Sequence, residues 1–179
     1  PSEGSLIRQP DLGETLRALA SEGRDGFYRG VVAQKLLDGA QSDGGVWSAK
    51  DLADYRIIER EPLVGTYKEV TIVSAPPPSA GGVGLINMFN MLTGFDLPVA
   101  DRVTRTHLLA EIMRRAFRDR AQYLGDPDFI NIPLAMLLHP FYAAGQRANL
   151  RIDQATPSTS LQGIQPANTA NGNQTSHFS

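Results

Sequence analysis

The sequence predicts a mainly α fold, a helical bundle with a small β-hairpin and a flexible C-terminal tail. Three observations support this fold class. Apolar residues recur at helical spacing in several separate stretches, the stretch from Ile57 to Ser74 is instead rich in β-branched and aromatic residues, and residues 156–174 are almost entirely polar. We therefore expect one helical domain over residues 1–155, followed by a flexible linker over residues 156–174.

Two helices are predicted near the amino-terminal end. Apolar residues repeat every three to four positions over residues 12–19, and Gly23 follows where a helix stop is expected. The same period continues over residues 27–36 until Gly39, and residues 43–45, Asp-Gly-Gly, are typical of a turn. These two helices should form a hairpin.

A single-turn helix and a hairpin should follow. Ser48, with Asp51 three residues later, predicts an N-cap for a short helix that runs through Tyr55. Between Ile57 and Ser74 the alternation predicts two short strands. The three prolines at 76–78 suit neither a strand nor a helix, so they predict an extended connector.

Three further helical stretches are predicted over residues 83–92, 101–124 and 133–150, with Gly94 after the first of them. On the long middle helix, Glu111 and Arg115 form a favourable i,i+4 pair. Its inward side chains are expected to be Leu108, Leu109, Ile112, Ala116 and Phe117, and its mostly outward ones Arg114, Arg115, Arg118 and Arg120.

Composition excludes several classes of function. The formal net charge is −2, and no block of lysines and arginines offers the footprint of a nucleic-acid-binding surface. The apolar runs fall far short of the ~20 residues that span a bilayer. Because the chain has no cysteine, thiolate nucleophiles, disulfides and cysteine-based zinc sites are excluded. We therefore expect no nucleic-acid or membrane partner for this stretch, and catalysis by oxygen or nitrogen groups.

The candidate catalytic residues within the helical part favour structural roles. His107 has apolar neighbours and is interpreted as a partly buried packing residue. His139 precedes Pro140 at a helix break and is interpreted as a surface or capping residue. Asp126 and Asp128 could act as paired carboxylates, but their Gly-Asp-Pro-Asp context favours a turn. No spacing of these groups predicts a metal site, and no cofactor is predicted.

Two other features allow a ligand but favour a simpler interpretation. Residues 79–82, Ser-Ala-Gly-Gly, stand at a helix start that could hold an anion, but they lack the lysine of a phosphate-binding loop, so a tight loop with a serine cap is favoured. The arginines of the long helix resemble a basic patch. Acidic residues interleave them, as on a solvated helix face.

The carboxyl end carries a more specific signal. Asn173-Gln174-Thr175-Ser176-His177-Phe178-Ser179 resembles the processing junction of the γ-glutamyltranspeptidases, which belong to the N-terminal-nucleophile hydrolases. Four more segments resemble the large subunit of that family and occur in the family's order. These segments are Leu6-Ile7-Arg8-Gln9-Pro10-Asp11-Leu12, Gly26-Phe27-Tyr28-Arg29-Gly30, Ala75-Pro76-Pro77-Pro78-Ser79-Ala80-Gly81-Gly82 and Leu124-Gly125-Asp126-Pro127-Asp128-Phe129. The resemblance thus covers nearly the whole chain.

The resemblance implies a role for one bond and one residue. The precursor would cut itself between Gln174 and Thr175, and Thr175 would become the catalytic nucleophile at the start of a small subunit, residues 175–179 here. A free α-amine with a pKa of ~7.7–8.0 can accept the proton of the threonine hydroxyl, whereas an amide nitrogen cannot. When full length, such a protein would have the αββα fold of this superfamily.

The resemblance also limits what this chain does alone. Family members commonly have a second threonine where this chain has Ser176, which keeps the hydroxyl. The substrate-binding arginine is expected upstream and the oxyanion donors downstream of this segment, so its substrate-binding residues are unknown. The expected partners are γ-glutamyl small molecules and the small subunit, and a periplasmic or secreted location is implied by the family.

Two alternatives stay open at this stage. One is a relative in the same family with another amide substrate, such as a cephalosporin acylase or a capsule transpeptidase. The other is a non-catalytic helical module that packs against a catalytic domain or a protein partner.

Overall fold

The computed structural model describes residues 2–161, which fall into two compact units that divide between Glu59 and Arg60. The sequence predicts one helical domain over this range. Both units are helical, and the second also contains the one β-hairpin of the described residues. The structure therefore confirms a mainly α fold with a small hairpin.

The first unit contains four helices: α1 (Pro10–Glu22), α2 (Asp25–Tyr28), α3 (Gly30–Ser42) and α4 (Ala49–Asp54). The single helix predicted before Gly39 is divided in two, because Arg29 is extended and Gly30 has a φ of +67°. A positive φ is readily adopted by glycine and interrupts a right-handed helix. The turn predicted at residues 43–45 is present.

Hydrogen bonds and an aromatic stack hold the last residues of this first unit in place. Ser48 caps the start of α4, as the sequence predicts, and reciprocal contacts with Asp51 make this cap a complete capping box. Beyond α4, the ring of Tyr55 stacks on that of Tyr28 with centroids 5.1 Å apart. Arg24 donates to the carbonyl oxygen of Ala53 at 2.9 Å. These contacts hold α4 and the residues after it against α2.

The second unit begins with the antiparallel strands β1 (Leu63–Tyr67) and β2 (Val70–Ser74), with Gly65 opposite Ile72. Gly65 lies against α5 (Gly81–Leu92). A Cβ at Gly65 would lie 2.8 Å from both Cγ1 and Cγ2 of Ile86, so only glycine allows α5 to pack this closely on β1.

Three more α-helices complete the described residues of this unit: α6 (Arg102–Tyr123), α7 (Leu134–Leu137) and α8 (Pro140–Ala148), followed by a 3-10 turn at Ser158–Leu161. The helical stretch predicted over residues 133–150 is divided at His139 and Pro140, where the sequence predicts a helix break. Proline disfavours helical geometry in the residue before it, and His139 has a ψ of 132°. The predicted serine cap of α5 is wrong, because that helix begins after Ala80 and no side chain caps it.

The second unit has two apolar clusters. Met91 and Leu92 of α5 pack with Ile112 and Ala116 of α6 and Ala143 of α8. The other cluster joins the hairpin to α5 and α7 through Leu63, Val83, Ile86 and Leu137. No helix in residues 2–161 combines the length and apolar character needed to cross a membrane.

The orientation of α6 differs from the prediction at three positions. Leu109 and Phe117 are 38% and 56% exposed, whereas Arg115 is 2% exposed. Successive residues of a helix are about 100° apart, which places Phe117 roughly half a turn from the buried Leu108 face. Arg115 instead falls on that face, together with Ile112. The predicted inward positions Leu108, Ile112 and Ala116 are confirmed.

Candidate functional site

Among residues 60–161 of the second unit, five polar or charged side chains are buried, and they form the candidate site. They are Asn87 of α5, Glu111, Arg115 and Asp119 of α6, and Gln146 of α8. The three charged residues follow one another at i,i+4 spacing, so they share one face of α6. Charged residues are almost never fully buried unless they are paired. Their partners therefore define what the site can do.

Glu111 is the acceptor at one end of this network. Its Oε2 lies 2.7 Å from Nη1 of Arg115, and its Oε1 accepts from Arg114 and from the backbone N–H of Thr156 at 3.2 Å. Burial opposes ionisation of Glu111, but hydrogen bonds from Thr156, Arg115 and Arg114 outweigh it and lower its pKa to about 2. Glu111 is therefore a carboxylate at neutral pH.

Arg115 links three parts of the chain. Besides Glu111, its guanidinium donates to the carbonyl oxygens of Gln146 and Asn149 at the end of α8, at 3.2 and 3.4 Å. Its Nη2 also donates to Oγ1 of Thr156 at 3.0 Å. A cation near the last carbonyls of a helix is favoured by the helix dipole. Arg115 thus fixes the end of α8 and the residues after it to α6.

Asp119 is the acceptor at the other end. It accepts from Asn87 at 3.0 Å, from Gln146, and from Nε of Arg118 at 3.0 Å. Burial, followed by the charge of Asp119, raises the pKa of Tyr142 to about 12. A fixed carboxylate with three donors orients α5, α6 and α8 relative to one another.

The residues after α8 are held to the outer part of this network. Thr156 contacts Glu111 and Arg115 as described above, and Nη2 of Arg114 donates to Oγ of Ser158 at 3.0 Å. A 3-10 turn begins at Ser158. The linker predicted from residue 156 therefore starts with a hydrogen-bonded stretch, because three α6 side chains supply partners for its polar groups.

The predicted catalytic residue Thr175 and the predicted cleavage position Gln174 lie outside the described residues. So do residues 162–173 of the predicted linker and residues 175–179. The roles of Gln174 and Thr175 therefore stay predictions.

His107 and His139 each have a structural hydrogen-bond partner. His107 is half-buried, and its Nε2 forms a hydrogen bond with the carbonyl oxygen of Arg151 at 2.8 Å. His139 accepts from the N–H of Phe141 through Nδ1 at 3.2 Å and caps α8. Both interpretations from the sequence are confirmed.

The aspartates after α6 also form a turn. Asp126 accepts from the N–H of Asp128 at 2.9 Å, and Asp128 pairs with Arg60 at 2.7 Å. These contacts confirm that Asp126 and Asp128 form a turn, as the sequence interpretation favours. Within residues 2–161, no three histidine, aspartate or glutamate side chains converge as they would around a metal ion.

The sequence predicts the pair of Glu111 and Arg115, which the structure confirms. It missed the burial of that pair and the network around it, although a signal was present. Glu111, Arg115 and Asp119 fall at the same helical spacing as the apolar residues Leu108 and Ile112. Charged residues on the apolar face of a helix predict buried ion pairs. The network lacks a nucleophile, so its chemical capacity is to position the chain segments that it binds.

The amino-acid sequence of the chain was also compared with those of known protein families and curated proteins. The family described as Gamma-glutamyltranspeptidase matches it over residues 1–179. A glutathione hydrolase proenzyme of Bacillus subtilis subsp. natto is 41% identical over 154 residues, which cover 85% of this chain and 26% of that protein. An acylase ACY 1 proenzyme of Pseudomonas sp. (strain SE83) is 38% identical over 169 residues, or 93% of this chain and 30% of that protein.

A solved structure shows the same fold. The γ-glutamyltranspeptidase of Helicobacter pylori superposes with a TM-score of 0.79 at 34% sequence identity, covering 94% of this chain and 50% of that one. The present chain spans less than a third of the length of the two curated relatives. Both relatives are described as proenzymes, and the matched region is part of a larger precursor in them.

Proposed function

The chain belongs to the γ-glutamyltranspeptidase family, and from that premise we propose that it is the C-terminal part of the large subunit of a self-cleaving γ-glutamyltranspeptidase, including the cleavage junction. The assembled enzyme would hydrolyse or transfer the γ-glutamyl group of glutathione and related amides. The family match carries this proposal, because it runs through Gln174 and Thr175. The proenzyme relatives support a precursor that is cut.

Self-cleavage in this proposal uses the hydroxyl of Thr175. Its oxygen attacks the carbonyl carbon of Gln174, the C–N bond to Thr175 breaks, and the nitrogen takes up a proton. The product is an ester between the two residues. Water then hydrolyses that ester, which leaves a carboxylate on Gln174 and restores the Thr175 hydroxyl with a free α-amine beside it.

The same oxygen then acts on the substrate. The α-amine of Thr175 accepts the hydroxyl proton as the oxygen attacks a γ-glutamyl amide, and the amine of the substrate leaves with a proton. Water or an acceptor amine resolves the resulting γ-glutamyl ester. Before the cut the nitrogen is an amide and cannot act as the base, so the uncut precursor is inactive toward substrate.

The remaining catalytic groups would come from the rest of the precursor. Losing even one oxyanion donor costs a factor of ~10² to 10³ in rate. This chain in isolation would therefore not turn over substrate, and its partner is the catalytic portion of the same precursor. A periplasmic or secreted location, which the family resemblance implies, is part of the proposal.

A second candidate is an acylase that acts on a different amide. It is favoured by the 38% identity to the Pseudomonas acylase over 93% of this chain. The full-length protein should be assayed on γ-glutamyl amides and on β-lactam side-chain amides in parallel. Turnover of the γ-glutamyl amides supports the leading proposal, and activity confined to the β-lactam amides supports the acylase.

Mass spectrometry of the full-length precursor tests the cleavage step. Wild type should yield two chains separated between Gln174 and Thr175. Thr175→Ala, which lacks the attacking oxygen, should stay uncut, whereas Ser176→Ala on the neighbouring hydroxyl should still be cut. An intact wild-type chain would contradict the proposal.

A further inference from the structure

The long helix α6 has a second apolar face, which lies opposite the buried face of Ile112 and Arg115. Six residues follow one another on this face at intervals of three or four positions. These residues, the outer stripe, are Val103, Thr106, Ala110, Met113, Phe117 and Ala121. We propose that the outer stripe is an interaction surface on which the part of the precursor outside residues 1–179 packs. The inference rests on the proposed function, because that function makes this chain one part of a longer precursor.

The apolar side chains of the outer stripe are exposed. Val103, Met113 and Phe117 are 78%, 48% and 56% exposed. The hydroxyl of Thr106 donates to the carbonyl oxygen of Arg102 at 2.9 Å, so it needs no partner from elsewhere. A contiguous exposed apolar patch marks a place where another surface packs, and a helix that is apolar all round is buried. Because the described part of the second unit leaves the outer side of α6 uncovered, the covering surface comes from beyond it.

An open pocket lies at the amino-terminal end of the outer stripe. Its lining includes Val103, Thr106 and Ala110 of the stripe, together with Arg102 and His107. The ring of His107 is held by its hydrogen bond with the carbonyl oxygen of residue 151, so this wall of the pocket is fixed. Protein interfaces are centred on side chains that fill such pockets. The outer stripe therefore offers a partner both an apolar ridge and a recess.

The charges beside the outer stripe are positive. Arg102 and Arg120 lie along one of its edges, and the guanidinium of Arg120 lies over the ring of Phe117, 5.9 Å from its centroid. Both acidic residues of α6, Glu111 and Asp119, are buried. The exposed charges of this helix are therefore arginines, and methionine, aromatic residues and arginine are enriched in protein interfaces. A complementary partner is apolar at its centre and acidic at its border.

This charge pattern and the chain length identify the partner. In a pair of identical copies that met through the outer stripe, arginines would face arginines, and like charges across an interface disfavour the contact. Residues 162–174 contain one large apolar side chain, Ile164, which is too few to cover the stripe. This chain spans less than a third of the two curated proenzyme relatives. Most of the proposed precursor therefore lies outside it and supplies the covering surface.

Thiol labelling of the full-length protein tests whether the outer stripe is covered. Met113→Cys places a thiol on the stripe. Gln122→Cys is the matched control, because Gln122 is exposed on the same helix about 140° around from Phe117. Relative to the denatured protein, a maleimide should modify Met113→Cys about tenfold or more slowly than Gln122→Cys, because the covered thiol reacts only after local opening. Equal relative rates, read by peptide mass spectrometry, would overturn the proposal.

A photo-crosslinker at the same surface identifies the partner. Replacing Phe117 with p-benzoylphenylalanine keeps an aromatic ring on the outer stripe. In the full-length protein it should cross-link to a peptide of the same precursor from outside residues 1–179. A cross-link to residues 1–179, or to a second copy, would overturn the assigned partner, as would the absence of any cross-link.

The same samples separate this proposal from the proposed function. Cleavage between Gln174 and Thr175 is measured in them by mass spectrometry. If the protein stays uncut but the cross-link to the rest of the precursor forms, self-cleavage is contradicted and the interaction surface is supported. If the protein is cut but Met113→Cys is labelled as fast as the control, the interaction surface is contradicted and self-cleavage is supported.

Discussion

Arg115 and Glu111 form an ion pair in which Nη1 and Oε2 lie 2.7 Å apart and each side chain is 2% exposed. A pair at this depth is stable only when the other polar atoms also find partners. Thr156, Arg114 and two carbonyl oxygens near the end of α8 supply those partners. The pair therefore connects α6, α8 and the segment that follows.

Replacing Arg115 with methionine should destabilise α6 strongly. Met preserves much of the volume but leaves the Glu111 carboxylate without its buried partner, which costs about 3–5 kcal/mol. Amide hydrogen exchange of α6 in the full-length protein measures this loss. Arg102→Met, at an exposed position of the same helix, should change the opening free energy by less than about 0.5 kcal/mol. Equal effects of the two substitutions would contradict a special role for the buried pair.

Because of Glu111, the stability of the folded protein should decrease at acidic pH. Its folded pKa of about 2 lies below the ordinary value of 4.5. A lowered carboxyl pKa contributes stability that is fully present above pH 4.5 and is lost as pH falls toward 2. The contribution is on the order of 3 kcal/mol at neutral pH.

Thermal unfolding of wild type and Glu111→Gln between pH 2 and 7 checks this dependence. The difference between their unfolding midpoints should be largest above pH 4.5 and should shrink toward pH 2. Glu69→Gln, at an exposed position in the hairpin turn, is the control and should follow wild type throughout. A difference that does not change with pH would show that Glu111 has an ordinary pKa.

Gly65 should not tolerate a side chain. An added Cβ would lie 2.8 Å from Cγ1 and Cγ2 of Ile86, and such overpacking costs about 1–3 kcal/mol. Gly84→Ala in α5 is the matched control, because a Cβ there meets no atom within 4 Å. Alanine is also the better helix former by about 0.8–1.0 kcal/mol. In hydrogen exchange of α5 and the hairpin, the opening free energy should fall in Gly65→Ala and rise in Gly84→Ala.

Ser48→Ala should destabilise α4 by about 1 kcal/mol, because it removes the side chain that accepts from the N–H of Asp51. Ser42→Ala near the end of α3 removes a hydroxyl that donates to Gly39 instead, so α4 should be unaffected. Exchange rates of the α4 amides distinguish the two variants. Equal protection in Ser48→Ala and wild type would contradict the capping role.

Local patterns were enough to predict most elements. The helical spacing of apolar residues predicts α1, α5 and α6 within a few positions, and Ser48 predicts the N-cap of α4. The β-branched stretch predicts the hairpin. These features depend on neighbours along the chain, which the sequence shows directly. The helix interruption at Arg29 was missed, because it depends on the backbone angles of two residues. The break at His139 was expected from the proline that follows it.

The candidate catalytic residue came from resemblance alone. Thr175 and Gln174 match the family's junction, and the comparison over residues 1–179 shows the family. Their geometry and their role in cleavage stay predictions. The pair of Glu111 and Arg115 was predicted from its spacing. Its burial and the rest of the network were not predicted, although these charges lie at the spacing of the apolar face.

The sequence by itself determined the family, the mainly helical fold and the positions of most elements, because these follow from residue order and short-range spacing. Only the tertiary structure decided that Arg115 is buried and what the charges of α6 contact. The spacing of Arg115 puts it on the apolar face, but it does not show the partners that a buried charge needs. Its burial depends on partners far along the chain, the carbonyl oxygens of Gln146 and Asn149 and the hydroxyl of Thr156, and folding alone brings them within hydrogen-bonding distance.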